Sequence, residues 1–296
     1  MKAMVMNEFG ASSVLKAVEL PKPVATPGHV VIKVAATSVN PLDYKIRSGA
    51  YSHMVNNFPV ILQGDIAGTI EAIGEDVNGF AVGDKVYGCI GGFLNLSGGL
   101  AEYVAADAHL IAKAPQTLSL QAASALPLVA LTVWEALINY VNLQKGQTIL
   151  IHGGTGGVGH VAIQLAKYLG AKVYATASSE EKLALSLQLG ADVAINYITT
   201  DVATYVAEHT QGKGFDVVFD TVGGKNLAAC FNAVGLYGKV ITISGAGMHD
   251  LTAAFSKGVT LCCVLQPLPL VTGMGRERYG VILSDFAKLV DKGVIK

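Results

Sequence analysis

The sequence predicts an α/β protein in which a β-rich N-terminal region precedes a doubly wound parallel sheet. Up to about residue 122, short apolar segments are punctuated by Gly and Pro, as in a sheet of short strands. From residue 147 onward, strand-like and helix-like segments alternate, which is typical of a parallel sheet covered on both faces. The glycine-rich stretch "HGGTGGVG" at 152–159 separates the first strand of this second region from its first helix.

Composition narrows the class of protein. The chain has 296 residues, enough for two domains, and its 21 basic and 22 acidic residues give a net charge of −1. This balance gives no electrostatic reason to expect nucleic acid or an anionic membrane surface as the main partner. We therefore expect a small-molecule substrate.

The sequence predicts neither a membrane span nor a signal peptide. The most apolar stretch, 122–141, is interrupted by Ser, Pro, Thr, Glu and Asn, and it predicts a buried helix rather than a membrane span. The segment at the N-terminus lacks the long apolar core of a signal peptide, and the four cysteines lack CxxC spacing. We therefore expect a cytoplasmic protein with free thiols.

The individual strands and helices follow from local patterns. In the first region, apolar segments and turn signals predict strands at 29–39, 65–74 and 84–91. The boundary between the regions is expected within an apolar helix at 122–140. The second region predicts six strands, at 147–153, 171–177, 192–197, 215–220, 238–245 and 259–265. Four predicted helices alternate with them, at 158–169, 180–190, 201–210 and 226–234.

The glycine-rich stretch has the preceding strand and the following helix that a G-x-G-x-x-G motif requires. Missing side chains let the backbone approach a pyrophosphate, and the unpaired N–H groups at the start of the helix stabilise its charge. The sequence therefore predicts a dinucleotide site, and the alternative is a glycine-rich turn without a ligand. The residues predicted to line this site are Gly154, Thr155, Gly156, Gly157, Val158 and Gly159.

The end of the second strand of this region bears on the choice of nucleotide. NAD-selective sites place an Asp or Glu there, where it holds the ribose hydroxyls and repels a 2′-phosphate. Here Ser178 and Ser179 follow the strand, and Lys182 comes within the next turn. Because hydroxyl donors and a cation suit a 2′-phosphate, we predict NADPH over NADH. Glu180 and Glu181 are the opposing observation, and we interpret them as solvated residues in the first turn of a helix.

Six sequence motifs are similar, in the same order along the chain, to those of a known family. They are "NPLDYKIRSG" at 40–49, "GDIAGTIEAIGEDVNGFAVGDKVYG" at 64–88, "GGLAEYV" at 98–104, "LTVWEAL" at 131–137, "HGGTGGVG" at 152–159 and "INY" at 195–197. On these motifs the chain resembles the zinc-independent quinone oxidoreductase (zeta-crystallin-like) branch of the medium-chain dehydrogenase/reductase superfamily. The resemblance implies a GroES-like catalytic domain at 1–125, a Rossmann NADPH domain at 126–268, and a C-terminal segment at 269–296 that returns toward the catalytic domain and is truncated.

The resemblance also bears on metal content and on the reaction. Zinc-containing alcohol dehydrogenases of this superfamily carry a cysteine ligand in the segment equivalent to 38–43 and a His-Glu pair at the positions equivalent to 64–65. This chain has "SVNPLD" and Gly64-Asp65 there, so we expect no catalytic metal. Hydride addition to a quinone or an electron-poor C=C bond is then the accessible reaction, since hydrogen-bond donors can stabilise the developing oxyanion.

These inferences predict an NADPH-dependent, zinc-free reductase of quinones or α,β-unsaturated carbonyls (enones or enals). One alternative is an NADPH-binding redox sensor or crystallin-like protein with little turnover. Another is an alcohol dehydrogenase that has lost its zinc. The resemblance further implies a homodimer through the apolar strand at 259–265, which would be an aggregation hazard if it formed an exposed sheet edge.

The candidate catalytic residues are Asn40, Asp43 and Lys45. Asn40 and Asp43 match the family's NxxD pattern, and Asn40 could donate to the acceptor oxygen or to the nicotinamide amide. Asn40-Pro41 is equally typical of a turn in which Asp43 caps a helix. Lys45 stands where related reductases often place a tyrosine. It could act as an electrophile or a proton donor, and a solvated lysine is the alternative.

Further cofactor contacts are expected from family position and strand order. Thr132 matches a family position near the nicotinamide, with a buried helical threonine as the alternative. Tyr197 matches a position near the adenosine phosphate, where it could flank the 2′-phosphate together with Lys182. The candidates that follow the fourth and fifth strands, where doubly wound sheets bind ligands, are Asp220, Val222, Ser244 and Gly245.

Overall fold

A computed structural model describes residues 1–296 and divides the chain into two units. The first unit contains Met1–Leu131 and Pro267–Gly293. The second contains Thr132–Gln266 and the final residues Val294–Lys296. The chain therefore builds most of the first unit, then the second, and then contributes a further segment to the first.

The first unit is built around an antiparallel sheet. The strands of this unit are β1 (Lys2–Met6), β2 (Leu15–Glu19), β3 (His29–Thr37), β4 (Asp65–Ile73), β5 (Lys85–Cys89), β6 (Tyr103–Asp107) and β7 (Ile111–Lys113). β1 and β2 pair separately, and the other strands form one five-stranded sheet in the order β6-β3-β4-β5-β7. β3, β4 and β5 confirm the three strands predicted for this region. Ile32, Ile66 and Val86 are fully buried on this sheet, and that burial specifies its register.

The apolar stretch at 122–140 differs from the prediction of one continuous helix. After α1 (Pro41–Arg47), the chain forms α2 (Leu120–Ala123), α3 (Pro127–Trp134) and a π-helix at Glu135–Tyr140. The predicted helix is therefore continuous from 127 to 140 and interrupted before Pro127, because Pro127 lacks an N–H donor and disfavours a helical conformation in the residue before it. Pro127 instead begins α3, where the missing N–H costs nothing. Short 3₁₀ helices occur at Ser12–Val14, Ser52–Met54 and Ala108–Leu110.

The second unit has a parallel sheet with helices between its strands. The strands are β8 (Thr148–His152), β9 (Lys172–Ala177), β10 (Val193–Asn196), β11 (Phe215–Asp220), β12 (Val234–Thr242) and β13 (Thr260–Cys263). The helices are α4 (Gly157–Tyr168), α5 (Glu180–Gln188), α6 (Val202–Thr210), α7 (Asn226–Ala233) and α8 (Thr252–Ser256). The order β10-β9-β8-β11-β12-β13 is that of a doubly wound Rossmann sheet, so the predicted fold class is confirmed.

β12 begins earlier and ends earlier than the strand predicted at 238–245. It starts at Val234, directly after α7, and its pairing with β11 contains a register shift between Phe215 and Val217. Tyr237 has a φ of +56° within this irregularity. Gly235 and Gly238 flank the irregularity and resemble turn signals, which is why the early part of the strand was missed.

One part of the core of the second unit lies between the sheet and the helices α6, α7 and α8. Tyr174 and Phe215 from neighbouring parts of the sheet meet edge to face, with ring centroids 4.9 Å apart. Tyr205 from α6 and Phe231 from α7 are buried against the same cluster. The strands also contact α4 and α5, so the sheet is covered by helices on both faces.

The second stretch of chain in the first unit, Pro267–Gly293, contains α9 (Leu268–Thr272) and α10 (Glu277–Asp291). α10 buries Leu283 and Phe286, and the Tyr87 hydroxyl of β5 donates to the Leu283 carbonyl oxygen at 2.6 Å. None of the helices combines the length and the apolar character that a membrane crossing requires.

Candidate functional site

The glycine-rich stretch lies at the carboxyl edge of the parallel sheet, between β8 and α4. Gly153 turns the chain with a φ of +68°, and its carbonyl oxygen accepts a hydrogen bond from the Gly156 N–H at 2.9 Å. Gly156 is the N-cap of α4, a helix of 12 residues. Gly156 and Gly157 are both exposed. The start of α4 therefore presents unpaired N–H groups and the positive end of its dipole to solvent.

Packing requires two of these glycines, whereas a third opens the loop. A Cβ at Gly159 would overlap the carbonyl oxygen of Gly153, and one at Gly154 would lie 2.8 Å from the Cβ of Ala175. At Gly156 the only atom within 4 Å is the Gly153 oxygen, at 3.3 Å. Gly154 and Gly159 thus close the turn, and Gly156 keeps free the cradle that a Cβ would fill. This shape fits the pyrophosphate of a dinucleotide.

The ends of β9 and β10 bring together the residues predicted to hold a 2′-phosphate. β9 ends at Ala177, whose carbonyl oxygen accepts from the Tyr197 N–H at 3.2 Å. Ser178 follows β9 and is half-buried, and Tyr197 is 51% exposed. Ser179 is the N-cap of α5, with its Oγ accepting from the Lys182 N–H at 3.4 Å. Hydroxyl groups and a lysine therefore gather at adjacent strand ends, as a phosphate site requires.

Two carboxylates stand beside this group of residues. Glu180 and Glu181 occupy the first turn of α5 and are exposed. A negative charge at a helix N-terminus is stabilised by the helix dipole. Their position therefore agrees with the interpretation that they are solvated.

Asp220 holds the turn that follows β11. The residue is fully buried, and its Oδ1 accepts from the N–H groups of Val222 at 3.1 Å and Gly223 at 2.9 Å and from Asn226 Nδ2 at 2.7 Å. Its Oδ2 accepts from Thr242 Oγ1 at 3.0 Å. Because donors of the same chain occupy both oxygens, the carboxylate orients the turn.

The loops after β11 and β12 lie against each other. Gly223 has a φ of +79°, and a Cβ there would overlap the Cβ of Ser244. Val222 is 58% exposed beside it. A Cβ at Gly245 would lie 3.6 Å from the Cys263 sulfur of the edge strand β13. The structure therefore brings Val222, Ser244 and Gly245 to the same carboxyl edge of the sheet as the glycine-rich stretch.

His152 and Thr132 are buried parts of the second unit. His152 ends β8, its Nδ1 lies 3.3 Å from Thr176 Oγ1, and its Nε2 is buried without a hydrogen-bond partner in the chain. Burial lowers the pKa of His152 to about 4, so the ring is neutral at physiological pH. Thr132 is the first residue of the unit and is 2% exposed within α3.

Asn40 and Asp43 form the start of α1 in the first unit. Asn40 is the N-cap, and its N–H donates to Asp43 Oδ2 at 2.7 Å. Both residues are 8% exposed, and Asn40 Nδ2 donates to Asp65 Oδ2 at 2.9 Å. This is the geometry of the alternative in which Asn40-Pro41 forms a turn and Asp43 caps the helix. A contact between Asn40 and a substrate stays a prediction.

Sequence reasoning missed Asp65, the first residue of β4, as a functional candidate. The residue is fully buried, its Oδ1 accepts from the Leu128 N–H at 2.9 Å, and its Oδ2 accepts from Ser38 Oγ at 3.0 Å. A carboxylate at the head of the apolar segment "DIAGTI" was the available signal, because a buried charge requires partners. Ser38, Asn40, Asp43 and Asp65 thus form one polar cluster, which we term the Asp65 cluster.

Burial raises the pKa of both carboxyl groups in the Asp65 cluster. The pKa of Asp65 rises to about 7, because burial and the neighbouring Asp43 charge outweigh the hydrogen bonds from Asn40 and Ser38. The pKa of Asp43 rises to about 6, because burial outweighs hydrogen bonds from the backbone of Asn40, Gln63 and Gly64. Two carboxyl groups in the first unit therefore exchange protons near neutral pH.

Lys45 lies outside the Asp65 cluster. The residue is half-buried on α1, and its Nζ lies 5.4 Å from the centroid of the Tyr51 ring. This is the geometry of a cation–π contact. The structure therefore joins two of the three catalytic candidates, Asn40 and Asp43, and leaves Lys45 on a separate aromatic neighbour.

Two domain families match the chain in the regions just described. Residues 26–116 match the alcohol dehydrogenase GroES-like domain, and residues 157–265 match the zinc-binding dehydrogenase family. These matches agree with the antiparallel sheet of the first unit and the Rossmann sheet of the second. No group of three or more His, Cys, Asp or Glu side chains in residues 1–296 has a geometry that could hold a metal ion.

Relatives with curated names are reductases. The chain is 33% identical to a quinone oxidoreductase from Homo sapiens over 252 residues, which cover 85% of the chain and 75% of that protein. It is 38% identical to a 2-methylene-furan-3-one reductase from Solanum lycopersicum over 255 residues, which cover 83% of the chain and 63% of that protein.

Solved structures with the same fold lead to the same family. An alcohol dehydrogenase superfamily protein from Novosphingobium aromaticivorans has a TM-score of 0.95 and 41% identity, and the match covers 99% of the chain and 88% of that structure. The quinone oxidoreductase of Escherichia coli in complex with NADPH has a TM-score of 0.88 and 26% identity, and the match covers 100% of the chain and 90% of that structure. The chain therefore belongs to the quinone oxidoreductase (zeta-crystallin-like) family of medium-chain dehydrogenases/reductases and is an oxidoreductase.

Proposed function

We propose that this protein is an NADPH-dependent, zinc-free reductase of quinones or α,β-unsaturated carbonyls. The observation that carries the proposal is the open start of α4, where Gly156 and Gly157 are exposed at the carboxyl edge of the parallel sheet. Doubly wound sheets bind dinucleotides at this edge, where the strand order reverses. In this chain the reversal lies between β8 and β11, directly beside the glycine-rich stretch.

The second unit holds NADPH in this proposal. The N–H groups of Gly157, Val158 and Gly159 bind the pyrophosphate, and Thr155 lines the turn. Ser178, Ser179, Lys182 and Tyr197 receive the 2′-phosphate. The NADPH complex of the Escherichia coli quinone oxidoreductase supports this choice by similarity. Once bound, NADPH supplies the hydride for the reduction.

The loops after β11 and β12 receive the remainder of the cofactor. Val222, Ser244 and Gly245 contribute surface at the carboxyl edge, and Thr132 contributes from α3. Asp220 acts through the N–H groups of Val222 and Gly223, whose positions it determines. Asp220 therefore orients the loop, and the loop contacts the cofactor.

The first unit acts on the substrate in this proposal. When a conjugated acceptor takes up hydride, negative charge develops on its carbonyl oxygen, and hydrogen-bond donors stabilise that charge. We assign this role to Lys45 and to the second amide hydrogen of Asn40, which only Ser38 Oγ engages, at 3.4 Å. The names of the human and tomato relatives support this acceptor class, because they describe a quinone and an enone as substrates.

Assembly and location complete the proposal. β13 is an edge strand, and Leu261 and Leu265 in and beside it are 37% and 59% exposed. We assign this edge to a homodimer interface, since pairing removes an exposed strand edge. All four cysteines are free thiols, which supports a reducing compartment such as the cytoplasm.

Initial rates of cofactor oxidation test the proposal. Purified protein is mixed with NADPH and either a naphthoquinone or a 2-alkenal, and NADH serves as the control cofactor. Turnover of either acceptor with NADPH preferred supports the reductase and identifies its acceptor class. Tight NADPH binding without turnover contradicts it and favours a redox sensor or crystallin-like protein.

A further inference from the structure

The Asp65 cluster connects a fully buried carboxyl group to the hydroxyl group of a half-buried serine. Asp65 is 0% exposed, whereas Ser38 is half-buried and precedes Val39, which is 67% exposed. Ser38 Oγ and Asp65 Oδ2 are 3.0 Å apart. The hydroxyl donates across this distance when Asp65 is ionised, and the carboxyl donates when Asp65 is protonated. A proton can therefore pass between the buried Asp65 carboxyl group and the Ser38 hydroxyl group.

The remaining partners of Asp65 keep its carboxyl group in place. The Leu128 N–H occupies Oδ1, and Asn40 Nδ2 shares Oδ2 with Ser38. Neither a backbone amide nor an asparagine amide can give up its proton at neutral pH. Among these three contacts, only the one to Ser38 can transmit a proton.

We propose that Asp65 and Ser38 form a proton relay that supplies the proton required when the acceptor is reduced. The inference rests on the proposed reductase function and assigns the proton source for that reaction. In this relay Ser38 is assigned the catalytic role, that of donating its hydroxyl proton to the substrate oxygen. Asp65 is a positioning residue that acts through Ser38.

Reduction of the acceptor takes up one hydride and one proton. Bound NADPH would supply the hydride and its two electrons, and the acceptor oxygen would then carry negative charge. The Ser38 O–H bond then breaks as a new O–H bond forms on that oxygen. The Asp65 O–H bond breaks as its proton moves to Ser38 Oγ, and a proton from solvent later returns to the Asp65 carboxylate through the Ser38 hydroxyl.

The charge environment of Asp65 allows it to hold this proton. The titratable group that acts on its carboxyl is Asp43 on α1, and Cys89 is the register partner of Asp65 on the neighbouring strand β5. The Asp43 charge and burial both raise the pKa of Asp65, to about 7. A general acid performs best when its pKa lies near the working pH.

The test measures kcat against pH for the full chain with NADPH and a 2-alkenal. In the wild-type protein, kcat should fall as pH rises through about 7. Ser38→Ala should lower kcat by about 100-fold, a typical contribution of a general acid, and should lose this pH dependence. Ser38→Thr retains a hydroxyl and should restore both. Asp43→Asn removes a neighbouring negative charge and should move the fall to lower pH.

Thr37→Val is the matched control. The Thr37 hydroxyl donates to the backbone oxygen of Asp65 at 2.6 Å and has no contact with its carboxyl group. The variant therefore removes an adjacent hydroxyl bonded to the same residue, and it should keep the wild-type pH dependence. Asp65→Asn should behave like Ser38→Ala, and thermal unfolding checks that each variant is folded.

The outcomes separate the relay from the reductase itself. If the wild-type protein reduces the alkenal and Ser38→Ala keeps the same fall of kcat with pH, the relay is wrong and the reductase stands. If the fall disappears in Lys45→Met instead, Lys45 is the proton donor and the relay is again wrong. If the wild-type protein reduces no acceptor with either cofactor, the proposed function fails, and the relay fails with it.

Discussion

The backbone of Gly159 lies so close to the carbonyl oxygen of Gly153 that a Cβ on Gly159 would overlap that oxygen. Neither group can move away easily, because one belongs to the first turn of α4 and the other to the turn after β8. At Gly156 the same oxygen would be 3.3 Å from a Cβ. One glycine is therefore required by packing, and another keeps space open for a ligand.

Gly159→Ala and Gly156→Ala should separate these two roles. We expect Gly159→Ala to lower the free energy of unfolding by about 1–3 kcal/mol, the usual cost of overpacking, and to lose NADPH affinity. Gly156→Ala should keep a near-wild-type melting temperature and still lose NADPH affinity, because its Cβ fills the cradle. Calorimetric titration with NADPH and thermal unfolding measure both effects. Wild-type affinity in Gly156→Ala would show that the loop does not hold the pyrophosphate.

Lys182→Glu should change the choice of cofactor. The variant places a negative charge beside Ser178 and Ser179 at the end of β9. We expect its NADPH affinity to fall by about 10- to 100-fold, the weight of a hydrogen bond to a charged group, with little change for NADH. Lys213→Glu makes the same charge change at an exposed position in the turn before β11 and is the control. Equal NADPH affinity in both variants would contradict the 2′-phosphate site.

The Asp65 cluster should make the protein less stable as pH rises from about 4 to about 7. The pKa values of Asp65 and Asp43, about 7 and about 6, lie above the ordinary value of 3.8. The native state therefore binds more protons than the unfolded state in this window, and the free energy of unfolding decreases as pH increases. Asp65→Asn should flatten this decrease, which urea unfolding at a series of pH values can measure.

Asp201→Asn is the control for this pH dependence, since its expected effect has the opposite sign. Asp201 caps α6 by accepting from the Thr204 N–H at 2.8 Å, and hydrogen bonds from Thr204 hold its pKa below the usual range. Its stabilising effect is therefore present above the ordinary pKa and lost as pH falls through the lowered one. A parallel change in both variants between pH about 4 and about 7 would contradict the assignment to Asp65.

Leu261→Glu should abolish the proposed homodimer. The residue lies on the edge strand β13, where a buried carboxylate would oppose strand pairing between two copies. Leu187→Glu introduces the same charge at an exposed position on α5 and should leave the dimer intact. Light scattering at micromolar concentration gives the masses. A monomeric wild-type protein would remove the proposed interface.

Local patterns were sufficient to predict the Rossmann sheet and its glycine-rich turn. Strand and helix periodicities depend on neighbours within a few residues, and parallel strands always bring their carboxyl ends to one edge. For this reason Ser178 and Lys182 could be proposed as one group from the strand end, whereas Tyr197 was added to them only by the family resemblance. The same reasoning missed the interruption of the helix before Pro127, although residues 127–140 are helical as predicted.

The tertiary structure alone revealed the Asp65 cluster and the role of Asp220. Asp65 lies 27 residues from Ser38 and 25 from Asn40 along the chain, and the Asp220 carboxylate is completed by Thr242, 22 residues later. Whether such polar side chains meet depends on sheet register and on how helices begin, which no local pattern specifies. Burial then raises or lowers each pKa, so the sequence determines which groups can titrate and the tertiary structure decides at which pH they do so.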